Sequence, residues 1–346
     1  MMSLKTFKDH YLDSILDFLW NQWSIVGVPG QAEGNDTRIV DPEALIIFTC
    51  AFGRYDSRLF DEMLGWMRLH ERLINVQRLK CILSKERFIG EAVLCAVASF
   101  TATPKTMTKW RRLERTGANP GGEQAPLFFQ KNGAPLPLTG SFDPVFASHG
   151  FKRDPVDIRN HIQLFRPERT ENLLLRLRAL FGVNSRCEVL AYLLTHERAN
   201  APEISRSCYY YQRTVYNVLA EMHLSGLVHL WEKGPEKLYG LKVDRWKNFL
   251  SPRQPLPVWT TWPPLCSALE RIWSKLADAD LEGMGSRLLA SEFRILMRDI
   301  QPALELSGCP VRLSSHDARL RGADYVSACL EVFEALVEML RQPVSK

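Results

Sequence analysis

The side chains best suited to molecular recognition lie in the stretch from Tyr211 to Leu241. Between Tyr211 and Ser225, Val215, Leu219 and Met222 recur at i, i+4 and i+7, which predicts a helix with one apolar face. Gln212, Arg213, Tyr216, Asn217 and Ala220 are left on the opposite face. Amides such as Gln212 and Asn217 can pair bidentately with adenine, and a guanidinium such as Arg213 can pair with guanine. Further on, Lys233 and Lys237 bracket Gly234-Pro235 between two apolar runs, Val228–Trp231 and Leu238–Leu241. That pattern is a β-hairpin signal. Ammonium groups at its tip would neutralise phosphates, giving affinity that does not depend on sequence.

Such side chains need elements to hold them. The run TENLLLRLRALFG predicts a helix with Leu173, Leu174, Leu177, Leu180 and Phe181 inward, stopped by Gly182. SRCEVLAYLLTHE predicts a second helix, with Ser185 as N-cap and Glu188 closing a capping box. APEISRSC follows as a short helix, and a turn at Tyr209–Tyr210 leads into the longer one ending at Gly226. A short helix, a tight turn and a longer helix are the order of a helix-turn-helix, and the hairpin stands where a wing would be.

The motifs EVLAYLL, PEIS, RTVYNVLAEMHLSGLV and KLYGL resemble the winged helix-turn-helix of ArsR- and MarR-like bacterial transcription regulators. The resemblance covers this central segment only. It implies that the start of the longer helix reads bases, which adds Tyr211 to Gln212, Arg213, Tyr216 and Asn217. Tyr209-Tyr210-Tyr211 departs from the pattern, because small capping residues are usual there; for Tyr209 packing is expected.

The flanks read as helical. Residues 1–115 form an expected N-terminal helical domain, with Asp41 capping one helix ahead of Pro42 and another starting after Asp56. Residues 116–160 are Gly/Pro-rich, a linker or a docked arm that Phe128 and Phe129 would pin to a neighbour. The winged helix is assigned to 161–250. A C-terminal helical domain is assigned to 251–346, with apolar stripes through Leu265, Leu269, Ile272, Trp273 and Leu276 and from Tyr325 to Leu340. The expected fold is therefore mainly α.

Composition narrows the function classes. The net charge is +5, and residues 169–250 hold twelve Lys and Arg against eight Asp and Glu, so most of the excess lies in the segment assigned to DNA. No run of apolar residues is long enough for a membrane helix, and the N-terminus lacks the apolar core of a signal peptide. None of the eight cysteines is within four residues of another, which argues against a C-x-x-C zinc or redox motif and suits a reducing cytoplasm. Phosphate-loop, dinucleotide-binding and nucleophile-elbow motifs are absent. In SFDPVFASHGFKRDPVDIRNH, Asp143, His149, Asp154, Asp157 and His161 could be imagined as a hydrolytic cluster, but a loop packing onto the winged helix is expected instead.

No catalytic residue, metal or cofactor is expected. The expectation is a cytoplasmic regulator that binds double-stranded DNA, its helical flanks available for a homodimer or a protein partner. The alternative from another class is a protein-interaction scaffold or antitoxin-like partner that uses the winged helix for docking.

Overall fold

The computed structural model of the chain describes residues 3–30, 36–114, 124–159, 161–234, 236–243, 246, 250, 255–281 and 283–342. These residues are mainly helical, with two small two-stranded sheets. The N-terminal helices are α1 (Leu4–Ile25), α2 (Pro42–Phe52), α3 (Ser57–His70), α4 (Val76–Lys85), α5 (Glu91–Thr101) and α6 (Met107–Glu114). α2 is buried along its whole length, as its all-round apolar sequence requires. Asp41 caps it by accepting the Ala44 N–H at 3.2 Å, and Asp56 caps α3 through the Leu59 N–H at 3.0 Å.

Residues 116–123 of the expected arm lie outside the described residues, and from residue 124 onward the arm is docked. β1 (Ala125–Pro126) pairs in parallel with β2 (Phe151–Lys152), and α7 (Pro144–Ser148) lies between them in sequence. Phe128 packs edge-on against Phe60 of α3 at 5.5 Å, and Phe129 lies 6.2 Å from Tyr55. The loop that follows covers α3 and α5, not the helices expected beneath it. Arg153 forks onto Asp61 at 2.7 and 3.0 Å, His161 meets Glu62 at 2.9 Å, and His149 meets Ser99 at 2.8 Å. Gly65 permits this approach, since a Cβ there would sit 2.6 Å from Ile162.

A second group of elements follows: α8 (Leu173–Phe181), α9 (Ser185–Thr195), α10 (Ala201–Cys208), α11 (Gln212–Leu224), β3 (Val228–Lys233) and β4 (Glu236–Leu241). They enclose their own core, which includes Leu177, Leu190, Ile204, Val215, Leu219 and Tyr239. Two expectations fail here. Leu180 and Phe181 are 54% and 46% exposed, because among the described residues nothing covers them at the last turn of α8. The cap of α9 is Asn184, whose Oδ1 accepts the Arg186 N–H at 2.9 Å. Glu188 then falls one residue too far along the helix for a capping box, and turns into the interior instead.

The chain ends in α12 (Trp262–Leu276), α13 (Ser286–Ser307) and α14 (Gly322–Arg341). The two flanking segments of the sequence meet in one core. Phe18 lies 5.4 Å from Trp262, Phe52 lies 6.1 Å from Trp273, and the Tyr11 hydroxyl donates to the Leu269 carbonyl at 3.1 Å. Arg38 ties the far end of α14 to this body, donating to the carbonyls of Met339 (3.0 Å) and Leu340 (2.7 Å) while pairing with Asp36. Among the described residues no helix is long and apolar enough to cross a membrane.

Candidate nucleic-acid interface

The outer face of α11 is built by its inner one. Val215, Val218, Leu219 and Met222 are buried, and the helical period leaves Gln212, Arg213, Tyr216, Asn217 and Ala220 exposed. Tyr211, the N-cap, is 69% exposed. All five expected base-reading residues therefore lie on one open surface at the start of α11. Among the described residues none of the five side chains makes a hydrogen bond.

The hairpin flanks this surface in full register, from Val228 opposite Leu241 to Lys233 opposite Glu236. A third chain segment joins it: Ala199, between α9 and α10, exchanges backbone hydrogen bonds with Tyr239 at 2.8 and 3.0 Å. Gly240 allows the close approach, since a Cβ there would lie 2.6 Å from the Glu197 carbonyl oxygen. Tyr216 and Lys237 act on each other electrostatically, which brings an expected base contact beside an expected phosphate contact.

The lysines depart from the expected tip position. Each belongs to a strand, and Gly234, at φ +62°, occupies the turn itself. Lys237 pairs with Glu232 directly across the ladder at 3.4 Å, so it is not a free cation. The pair is exposed, so water and salt screen it and a phosphate can displace the carboxylate. The Lys233 side chain and Pro235 lie outside the described residues. Beside the hairpin, Arg198 lies 4.5 Å from the centre of the half-exposed Trp231 ring.

A buried charge network joins α8, α9 and α10 to α2 and α4, and the sequence alone does not single it out. Arg178 of α8 forks onto Glu43 of α2 (2.6 and 2.7 Å) and also reaches Glu188 of α9 (2.5 and 3.0 Å). Arg78 of α4 forks onto Asp41 (2.5 and 2.6 Å), meets Glu43 at 2.7 Å, and donates to the Cys208 carbonyl at 2.9 Å. Burial works against charge on both arginines. The facing carboxylates outweigh it and hold both well above the ordinary arginine pKa.

The three tyrosines continue this arrangement. Tyr209 takes the left-handed backbone (φ +62°) that ends α10, is buried, and donates to Glu86 at 2.6 Å. Tyr210 donates to Glu188 at 3.0 Å and accepts from the Asn75 amide at 2.7 Å. Tyr211 then turns outward. The bulky residues in the turn are anchors, which explains the departure from small caps.

The charge excess of this segment is thus partly internal, since Arg178 is spent inside. On the outside, Arg186 pairs with Glu221, whereas no carboxylate pairs with Arg213 or Arg206 among the described residues.

No family model, curated protein or solved structure matches this chain. Among the described residues no cluster of three or more His, Cys, Asp and Glu side chains is arranged to hold a metal ion. Asp143 caps α7 at 3.0 Å and Asp154 accepts from Thr139 at 2.9 Å, so with His149 and His161 four of the five residues that sequence alone could gather into a hydrolytic cluster have structural partners, and Asp157 is exposed.

Proposed function

We propose that residues 173–241 are a winged helix-turn-helix and that the protein binds duplex DNA through it as a regulator. α11 enters the major groove, where Gln212, Arg213 and Asn217 meet base edges with Tyr211 and Tyr216 beside them, and the hairpin lies along the phosphates. One observation carries the reading: five amide, guanidinium and phenol side chains stand exposed, with no hydrogen bond among the described residues, on one helix end next to a hairpin bearing Lys237. The order helix, single bridged residue, helix, turn, helix, hairpin supports it, as does the rigid tie that presents α11 at a fixed angle. The cysteines are free thiols, seven of them buried, which supports a reducing, cytoplasmic setting.

A duplex selected from genomic fragments that co-purify with the protein provides the test. Wild-type affinity for it should fall steeply between low and moderate salt as counterions are released. Arg213→Ala should lose about 1–3 kcal/mol of binding on that duplex and relax preference at one base pair. Its unfolding free energy should stay within about 0.5 kcal/mol of wild type.

A second reading is favoured by a different observation. Leu224 is 89% exposed, and Leu180, Phe181 and Leu227 are also uncovered in the same segment. A protein partner docking there, as in a scaffold or antitoxin, would bury them. If Arg213→Ala binds every duplex as wild type does while a protein partner is lost, that reading replaces the first.

A further inference from the structure

A cleft of about 1010 Å³ lies where α9 and α10 face α13 and α14, with residues 258–261 also lining it. We propose that it is a binding site for a small, planar, positively charged aromatic molecule. The size suits an organic ligand, since such pockets run from about 300 to 1,000 Å³.

The shape requirement comes from one wall. The rings of Tyr192 and His196 are stacked at 3.8 Å with only 6° between their planes, and Trp259 meets Tyr192 edge-on at 5.3 Å. Trp259 is itself held by a hydrogen bond from its indole N–H to Thr261 at 3.3 Å. His196 Nδ1 lies 2.8 Å from the Tyr192 carbonyl, so the neutral ring carries its proton there and leaves Nε2 as an acceptor. Tyr192 is itself buried, so His196 and Trp259 are the rings left to the cleft, and a flat ring bearing an N–H donor fits them.

The charge requirement comes from the other lining groups. Glu203, Glu305 and Glu338 all border the cleft. Each has one oxygen engaged, by the Tyr192 hydroxyl (2.8 Å), the Gln301 amide (2.8 Å) and the Gln342 amide (2.7 Å), which leaves the other to accept from a ligand. Two arginines border it as well. Arg38 is consumed by Asp36 and the α14 carbonyls, so its charge is already balanced. Arg206, exposed on α10, is left to oppose three carboxylates, and the cleft favours a cation. Aromatic faces attract the same charge. The site does not depend on what α11 binds.

Ethidium, titrated into the nucleic-acid-free full-length protein and followed by its fluorescence and by tryptophan quenching, is the probe. It should bind saturably at one site per chain, while the anionic dye 8-anilinonaphthalene-1-sulfonate should not displace it. The double substitution Glu305→Gln, Glu338→Gln changes only exposed carboxylates and should weaken ethidium by about tenfold, the equivalent of 1.4 kcal/mol. Arg206→Gln should tighten it by about twofold to threefold, an effect opposite in sign to general damage. Absence of saturable ethidium binding, displacement by the anionic dye, or unchanged affinity in the carboxylate double variant would each overturn the proposal. So would weaker binding in Arg206→Gln.

Discussion

Arg178 and Arg213 belong to the same helical segment and live under opposite rules. Arg178 is wholly enclosed, with two carboxylates and the Leu73 carbonyl sharing its five N–H donors. Arg213 stands on the open face of α11 with no ion pair among the described residues. The contrast extends to their neighbours. Toward the helical body, Arg78, Asp41, Glu43, Glu188, Tyr210 and Asn75 all have partners. Away from it, the side chains of Tyr211, Gln212, Tyr216 and Asn217 make no hydrogen bond among the described residues. Polar groups that are fully paired inside a protein specify position, because only one arrangement satisfies them. Polar groups held out in water by a rigid helix are available for another molecule.

The most severe way to break this contrast is to unpair the inner side. Arg178→Ala leaves Glu43 and Glu188 buried without their shared cation, and removing one member of a buried ion pair destabilises by about 3–5 kcal/mol. Denaturant unfolding should register that loss. A loss under about 1 kcal/mol, as for an exposed pair, would mean that the network does not tie α8 to α2 and α4. Double substitution of Arg178 and Glu188 by Met and Leu should recover part of the loss, since apolar side chains of similar volume do not leave a charge stranded.

The helical body has its own unpaired buried acid, and it gives a second, smaller effect. Glu270 of α12 accepts the Ile89 N–H at 2.7 Å through one oxygen, while Oε1 finds no partner among the described residues. Burial pushes its pKa from the ordinary 4.5 up to about 8. Between those values the folded chain keeps a proton that the unfolded chain has released, so stability falls as pH rises. Burial pushes His70 the other way, from 6.5 down to about 4, so its contribution is lost as pH drops through that window. The two slopes oppose each other from pH 4.5 to 6.5, and above that only the Glu270 slope remains, up to pH 8. Glu270→Gln should flatten this upper slope and raise stability at pH 7 by roughly 1–3 kcal/mol. An unchanged slope between pH 6.5 and 8 would show that Glu270 does not hold the proton.

The sequence carried the outer half of the contrast better than the inner half. Val215, Leu219 and Met222 mark a helical period that defines its complement, so the exposed face of α11 was readable without coordinates. The hairpin was readable for the same local reason, alternation about a Gly-Pro turn. The charge network was not, because Asp41, Arg78 and Arg178 are far apart in the chain and each has an ordinary local explanation. Asp41 is indeed an N-cap, and also a partner of Arg78. Glu188 looked like a capping-box residue because its spacing from Ser185 is right; moving the cap to Asn184 frees it for Arg178. The shared core of the two flanks was hidden likewise, since apolar stripes on α1 and α12 give their faces but not their partner. The tyrosine triplet was the one visible signal of the network, an oddity of composition where a small cap belongs.

The finest test of the contrast concerns Lys237, which lies between its two sides: exposed like Arg213, but paired like Arg178. Its partner Glu232 lies directly across the hairpin, and the side-chain contact between them raises the lysine pKa. Lys237 therefore stays charged and can exchange one oxygen anion for another when a phosphate arrives. Lys237→Ala should weaken binding about equally on selected and random duplexes, and reduce the slope of log affinity against log salt by about one unit. Protein stability should hardly change, since water and salt screen an exposed pair. Glu232→Gln offers the opposite sign: freed from its internal carboxylate, Lys237 should bind duplex DNA somewhat more tightly and with no new base preference. If Lys237→Ala instead changes which duplex is preferred while the salt slope stays fixed, the hairpin reads sequence, and the division between a base-reading helix and a phosphate-binding hairpin is wrong.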